Sequence, residues 1–219
     1  MRERPILFSG SMVRAILEGR KTVTRRAMNP QPLLDGHFWT YGGAGWSDRI
    51  NSITPVAGHS LARGCPYGQP GDRLWVREAW TADAQVDSIA PRELSQGEPI
   101  RYPADGGVRQ TGCAMVSQGK GRPSIHMPRW ASRILLEITE VRVERLQDIS
   151  EEQAIAEGIH FDKRRWFPTD EGGPAFVWPQ DAFQHLFQSV TGGDEPDANP
   201  WVWVLEFKQL GQAPAGSAA

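Results

Sequence analysis

The sequence has few cysteines and few histidines that could hold a metal ion. Its two cysteines, Cys65 and Cys113, lie far apart and form no CxxC pair. The five histidines form no HxxxH or HExxH pair. Structural metal sites in proteins use closely spaced ligands of these types. We therefore expect no metal site, and nothing in the sequence calls for a cofactor.

Long apolar runs are also missing. No segment reaches the length that a membrane-spanning helix needs. The first five residues lead into a strand-like run and lack the pattern of a signal peptide. We therefore expect a reduced, cytoplasmic protein that makes no membrane contact.

Charge of one sign is not in excess, because 24 basic residues face 26 acidic ones and the net charge is −2. This balance excludes a basic coat for sequence-independent binding of nucleic acid. Only four of the basic residues are lysines, and nine tryptophans are present. The many arginines reflect either the base composition of a GC-rich genome or recognition of phosphates and bases. Both interpretations stay open.

Local patterns predict a mixed α+β domain around a small sheet or barrel. Ser150 and Gln153 form a capping box at the start of one helix. The run 201–207 is apolar on both faces, which predicts a central strand. Further expected strands are 5–8, 20–26, 73–78 and 133–146, and expected helices are 11–19, 150–158 and 179–190.

We predict a single domain over residues 1–210 with two insertions, at about 28–70 and 82–121. The first insertion is rich in glycine, proline, serine and aromatic residues, and neither has a sustained period, which is typical of long loops. Residues 211–219 are small and polar, which predicts a disordered tail.

The strongest concentration of chemical groups lies between residues 19 and 26, where three arginines and two threonines surround Lys21. Neighbouring cations disfavour the charged form of a lysine, and partial burial would then make Lys21 a general base. In an extended segment Lys21 and Thr24 point to opposite faces, so their contact requires a turn. The alternative is a solvated basic strand end that binds nothing.

Two other segments, 73–78 and 122–130, place tryptophans beside charged side chains. Such a combination suits a stacked base with an adjacent phosphate. The alternative is ordinary packing of the aromatic rings. The candidate binding residues are Trp75, Arg77, Glu78, His126, Arg129 and Trp130.

The pattern Gly19-x-Lys21-x-x-Thr24-x-Arg26 resembles the signature of the ASCH domain, a PUA-like β-barrel family associated with RNA. Further segments agree with that family in order, and the similarity is greatest to the larger ASCH proteins of phages and prophages. These segments are 70–76, 138–143, 149–158 and 201–207. The resemblance implies an α+β fold with a small PUA-like barrel, flanking short helices and long loop insertions.

Some small bacterial ASCH proteins are N4-acetylcytidine amidohydrolases, and the resemblance places their catalytic group on Lys21, Thr24 and Glu157. Thr24 would be the nucleophile, Lys21 its base, and Glu157 the acid that protonates the leaving N4. Arg26 would hold the developing oxyanion. For Glu157 a plain helix-surface carboxylate is the alternative. The implied partner is a modified nucleoside or a short single-stranded RNA, and no protein partner is required.

Two other functions stay open. One is a PUA-like reader of RNA or of a modified base, in which Trp75 and Trp130 stack and salt weakens binding. The other is a metal-independent ribonuclease, in which Lys21 and a nearby hydroxyl act on a 2′-OH. The net charge of −2 favours a small substrate over a polymer.

Overall fold

The computed structural model describes residues 1–35, 38–41, 46–49, 61–110, 112–192 and 199–211. Within these ranges the strands are β1 (Glu3–Leu7), β2 (Val23–Ala27), β3 (Leu33–Asp35), β4 (Phe38–Tyr41), β5 (Trp46–Arg49), β6 (Arg73–Arg77), β7 (Ile100–Arg101), β8 (Val108–Arg109), β9 (Leu135–Arg145), β10 (His160–Asp162), β11 (Arg165–Phe167) and β12 (Trp201–Leu210). The α-helices are α1 (Gly10–Leu17), α2 (Glu151–Ala156) and α3 (Pro179–Thr191).

These elements confirm the predicted mixed α+β class, with small sheets and few helices. The chain divides into two compact units. Unit 1 contains Met1–Gly19, Gly71–Glu137 and the end of the chain from Lys208, and unit 2 contains Arg20–Pro70 and Ile138–Phe207. Strands β9 and β12 are continuous and contribute residues to both units. Closure of the described strands into a barrel is not observed, so the PUA-like barrel stays a prediction.

In unit 1 the strand order is β1-β6-β9. Strands β1 and β6 are parallel, and β6 runs antiparallel to the start of β9. Helix α1 begins at Gly10, and its N-cap is Ser9 rather than Ser11, the first residue of the predicted helix, because the Ser9 hydroxyl accepts the hydrogen bond from Met12 N. The backbone turns after this helix at Gly19, whose φ of 74° suits glycine.

The insertion predicted at 82–121 contributes to the core of unit 1. It contains the short β7–β8 hairpin and several buried residues. The Asp83 carboxylate accepts hydrogen bonds from the backbone of Val116 and Ser117, which ties two parts of the insertion together. One buried cluster consists of Trp80, Ala82, Leu94, Ile100, Tyr102, Met127 and Ala131.

In unit 2 the strand order is β9-β12-β2. The first five residues of β12 are buried, and the strand has a neighbour on each side, which confirms the predicted central strand. Strand β2 runs antiparallel to β12, with Arg25 opposite Val204. The capping box at α2 is confirmed, since Ser150 and Gln153 make both of its hydrogen bonds.

The first insertion is not one long loop, as the sequence had indicated. Strands β3, β4 and β5 form an antiparallel three-stranded sheet within it. The β10–β11 hairpin was likewise not expected. Residues 50–60 of the insertion and 212–219 of the predicted disordered tail lie outside the described residues. No helix in the described ranges has both the length and the apolar character needed to cross a membrane.

Candidate functional site

The segment with the signature pattern contacts the C-terminal end of α2. Three consecutive residues donate to three consecutive carbonyl groups there: Arg20 to Gly158 O at 3.0 Å, Lys21 to Glu157 O at 2.8 Å and Thr22 N to Ala156 O at 2.9 Å. A helix end leaves such carbonyls unpaired, and its dipole favours cations. Residues 20–22 therefore cap the C-terminal end of α2.

Lys21 and Glu157 form a buried ion pair in which Nζ and Oε2 are 2.7 Å apart. The two residues are 2% and 3% exposed. Nζ also donates to Val23 O at 2.9 Å and to Glu157 O at 2.8 Å. These three acceptors match the three protons of an ammonium group. Glu157 is therefore not the helix-surface carboxylate that the sequence left as an alternative.

Burial lowers the pKa of Lys21 below its usual value of 10.5. The charge and hydrogen bond of Glu157 oppose this shift, while the positive charges of Arg26 and Arg25 add to it. Desolvation penalises the charged form of a lysine, and like charges act in the same direction. The neutral amine of Lys21 is therefore easier to reach than that of an exposed lysine.

Arg25 is buried beside this pair, with an exposure of 4%. Its guanidinium group donates to three side chains: Glu157 Oε1 at 3.4 Å, Glu144 Oε2 at 3.1 Å and Gln153 Oε1 at 2.6 Å. Glu157 thus lies between two cations, Lys21 and Arg25. The sequence did not single out Arg25, Glu144 or Gln153 for the site. A signal was available for Arg25, since it shares a strand face with the apolar Val23.

Charged groups continue from this cluster towards the surface. Glu144 also accepts from Arg142 Nε at 2.8 Å, and Arg142 Nη1 donates to Glu206 Oε1 at 2.6 Å. The side chain of Glu206 is 40% exposed. Alternating positive and negative groups therefore connect the buried lysine to solvent.

Thr24 and Arg26 point to the other face of β2, because neighbours in a strand alternate. Thr24 is 2% exposed, and its hydroxyl is not among the three acceptors of Lys21 described above. Burial lowers the pKa of Arg26, and the charges of Tyr67 and Glu157 oppose this shift. Strand β2 begins at Val23, so Lys21 lies outside it and reaches back to α2.

In unit 1, Trp75 is covered by arginine side chains. The Arg77 and Arg129 guanidinium carbons lie 4.6 Å and 5.9 Å from the centre of its ring. Arg129 also pairs with Glu3, with a distance of 2.9 Å. Trp75 is only 7% exposed, so its ring offers little surface to a base in this structure.

Trp130 and His126 lie in different surroundings. Trp130 is half-buried and packs against the unit 1 core cluster, with the Arg109 guanidinium carbon 5.4 Å from the centre of its ring. His126 is exposed and lines a surface groove. Trp130 therefore contributes to packing, and its role in binding stays a prediction, as does that of the exposed His126.

Glu78 belongs to a second buried ion pair, which joins it to Arg133. Arg133 donates to the two Glu78 oxygens at 2.9 and 3.0 Å and to the two Asp105 oxygens at 2.8 and 2.9 Å. Burial raises the pKa of Glu78, and the bond and charge of Arg133 oppose the rise. The Arg133 guanidinium carbon also lies 4.1 Å from the centre of the Tyr102 ring. The sequence did not single out Arg133, Asp105 or Tyr102.

The predicted site residues therefore fall into two groups. Unit 2 holds the predicted catalytic residues and Arg26, and it brings Lys21 into contact with Glu157. Unit 1 holds the six other predicted substrate-binding residues. Among the residues that the structure describes, no three histidine, cysteine, aspartate or glutamate side chains form a group that could hold a metal ion.

Comparison with known proteins adds little to this geometry. No protein-family model matches the chain, and no curated protein matches it. One solved structure, the protein EF3133 from Enterococcus faecalis V583 of the family DUF984, has 7% sequence identity and a TM-score of 0.41. The match covers 100% of this chain and 87% of that chain. At this level of similarity neither fold nor function is transferred.

Proposed function

We propose that the chain is an amidohydrolase that removes an acyl group, such as acetyl, from N4 of a modified cytosine nucleoside. The supporting observation is the buried hydrogen bond of 2.7 Å between Lys21 Nζ and Glu157 Oε2. Transfer of one proton along this bond gives a neutral amine and a neutral carboxylic acid. Burial favours neutral forms, and these two groups are the base and the acid that amide hydrolysis needs.

The first half of the reaction uses both groups. Lys21 takes the proton of the Thr24 hydroxyl, and Thr24 Oγ1 forms a bond to the acyl carbon. The bond between that carbon and N4 breaks as Glu157 gives its proton to N4. The products are the nucleoside with a free amino group and an acyl ester on Thr24, and the charged Lys21–Glu157 pair is restored.

Water completes the cycle. Glu157 takes a proton from the water, whose oxygen bonds to the acyl carbon. Lys21 returns its proton to Thr24 Oγ1 as the ester bond breaks. The carboxylic acid leaves, and the neutral pair of Lys21 and Glu157 is regenerated for the next substrate.

This mechanism requires Thr24 Oγ1 to reach Lys21 Nζ when the substrate is bound. A neutral amine has a single lone pair, and this lone pair must face the Thr24 hydroxyl, so the hydrogen bond between Nζ and Glu157 Oε2 is released at that stage. Arg26 lies on the same face of β2 as Thr24. That placement supports its assignment as the group that stabilises the oxyanion.

The resemblance to the ASCH family leads to two companion proposals. One is that the central strands belong to a PUA-like barrel. The other is that the substrate is a nucleoside or a short single-stranded RNA. The net charge of −2 supports a small substrate, because a pocket needs only a few local cations.

The test is release of cytidine from N4-acetylcytidine, followed by chromatography. We expect activity in the wild type and a loss of at least about 100-fold in Lys21→Ala and in Thr24→Ala. Thr22→Ala is the matched control, because this threonine is exposed and the substitution keeps the backbone N–H that donates to Ala156 O. Circular dichroism checks that each variant folds.

Two results would count against the proposal. Full activity in Lys21→Ala or Thr24→Ala contradicts the assigned mechanism. Absence of cytidine release by the wild type contradicts the function itself.

A further inference from the structure

A surface groove in unit 1 lies where the 82–121 insertion meets the segment 122–128. One cavity there has a volume of about 390 Å³, and a second of about 250 Å³ shares Ala90, Pro91 and His126 with it. Both are built from unit 1 residues alone. The insertion, which the ASCH resemblance does not cover, therefore forms part of the groove.

The groove carries more positive than negative charge. Arg77 and Arg92 line the larger cavity, and Lys120 and Arg122 line the smaller one. The acidic residue of the lining is Asp87, whose carboxylate already accepts the backbone N–H of Lys120. Next to the lining, the exposed Glu93 lies 3.5 Å from Arg92 Nε, so the four cations still outnumber the two carboxylates. In a chain with a net charge of −2, this local excess of cations favours an anionic ligand.

Arg77 is held in place while most of its donors stay available. Its guanidinium group stacks on Trp75 at 4.6 Å, and Nη1 donates to Ile125 O at 3.2 Å. Among the described residues Arg77 has no carboxylate partner. A guanidinium group has five N–H donors in a planar fork that fits a phosphate. Arg77 is thus a fixed cation whose remaining N–H donors are available to a phosphate.

The walls of the groove are also fixed, and part of them is apolar. Arg122 is 5% exposed and donates to Ile89 O at 3.0 Å and to Val86 O at 2.8 Å, which secures the wall formed by 86–89. Pro91 and Ile125 line the groove, and Ile125 is 59% exposed. A ligand with an apolar or planar part beside its anionic group fits these surfaces.

We propose that this groove binds a phosphate-bearing ligand of about mononucleotide size. The phosphate lies on Arg77 and Arg92, and the planar part of the ligand packs against Pro91 and Ile125. The phosphate is either the monoester of a free nucleotide or a diester within a strand. This proposal concerns unit 1 alone and does not depend on the proposed hydrolysis.

The test is calorimetric titration of the full chain at low salt with three probes: cytidine 5′-monophosphate, cytidine, and the dinucleotide cytidylyl-cytidine. We expect at least one phosphate-bearing probe to bind at least about tenfold more tightly than cytidine, and we expect added salt to reduce this difference in affinity. Tighter binding of the monophosphate assigns a free nucleotide. Tighter binding of the dinucleotide assigns a strand.

Variants locate the binding. Arg77→Gln is expected to reduce the affinity for the phosphate-bearing probe about tenfold. Arg92→Gln is expected to reduce this affinity about threefold, because the Arg92 side chain is 86% exposed. Arg101→Gln removes the same charge from an exposed position of unit 1 outside the groove, and it should bind as the wild type. If Arg77→Gln does not fold, the affinity of Arg92→Gln for the phosphate-bearing probe tests the proposal.

The proposal is overturned by any of three results. One is equal affinity for cytidine and for both phosphate-bearing probes. Another is no binding of either phosphate-bearing probe. The third is wild-type affinity in Arg92→Gln together with wild-type affinity in any folded Arg77→Gln protein.

Discussion

Glu157 in unit 2 and Glu78 in unit 1 are similarly buried carboxylates, with exposures of 3% and 1%, but their partners differ. Glu157 pairs with Lys21, and Glu78 binds Arg133 through two hydrogen bonds. An arginine keeps its proton at any physiological pH, whereas a buried lysine can release one. The pair with Arg133 is therefore a structural connection, and the pair with Lys21 is suited to proton transfer.

The charges around each pair reinforce this difference. Arg133 lies between two carboxylates, those of Glu78 and Asp105. Glu157 instead lies between two cations, Lys21 and Arg25. The negative charges of Glu78 and Asp105 raise the pKa of Arg133, while the positive charges of Arg25 and Arg26 lower the pKa of Lys21. Burial alone therefore does not identify a reactive carboxylate, because the partner decides what it can do.

Removal of the cation should produce the largest difference in stability between the two pairs. Arg133→Met leaves Glu78 buried without its cation, and we expect a loss of about 3–5 kcal/mol in the free energy of unfolding. Lys21→Met leaves Glu157 with Arg25, so we expect a smaller loss of about 1–3 kcal/mol. Urea denaturation followed by circular dichroism measures both losses.

Arg92→Met provides the baseline for that comparison, since its side chain is 86% exposed and the expected change is within about 0.5 kcal/mol. A larger loss in Lys21→Met than in Arg133→Met would show that Arg25 does not compensate Glu157.

The pH dependence of stability should have opposite signs at the two pairs. The pKa of Lys21 is lowered by burial, so the wild type gains stability relative to Lys21→Met as pH rises from the folded-state pKa to 10.5. The pKa of Glu78 is raised by burial, so the wild type loses stability relative to Glu78→Gln as pH rises from 4.5 through the folded-state pKa. Unfolding curves at a series of pH values measure both differences. Equal signs would contradict one of the two shifts.

The smallest effect is expected at the half-exposed end of the unit 2 cluster. In Glu144→Gln, Arg25 keeps its contacts with Gln153 and Glu157, so the free energy of unfolding should change by less than about 1 kcal/mol. Asp105→Asn is the counterpart in unit 1 and should cost more, because Arg133 binds both oxygens of Asp105 and these hydrogen bonds lower the pKa of its carboxyl group. Thermal denaturation of both variants checks this order. A greater loss in Glu144→Gln would mean that Arg25 depends on Glu144.

Parts of the fold were predictable because their signals are local. The capping box of α2 and the apolar run of β12 are each encoded within a few residues. The N-cap of α1 was placed two residues late, because both Ser9 and Ser11 are suitable caps for the same apolar pattern. Strands β3–β5 are three or four residues long and lie among glycines and prolines, so their period was too short to recognise.

The candidate site was predictable only in part, because its contacts join residues that lie far apart in the sequence. Lys21 stood out through its neighbours in sequence, but its contact with Glu157 joins residues 136 positions apart. The contacts of Arg25 with Glu144 and Gln153 span 119 and 128 positions. Pairings at such distances depend on strand register and helix placement, which a single sequence does not reveal. The role of Arg133 was hidden in the same way.

The most direct test of proton transfer by Lys21 is the exchange Lys21→Arg, which gives Glu157 the type of partner that Glu78 has. Lys208→Arg is the matched control, because Lys208 pairs with Glu137 at 2.8 Å but is 59% exposed. We expect folded Lys21→Arg to hydrolyse N4-acetylcytidine at least about 100-fold more slowly than the wild type, and Lys208→Arg to retain full activity. Wild-type activity in Lys21→Arg would contradict the account.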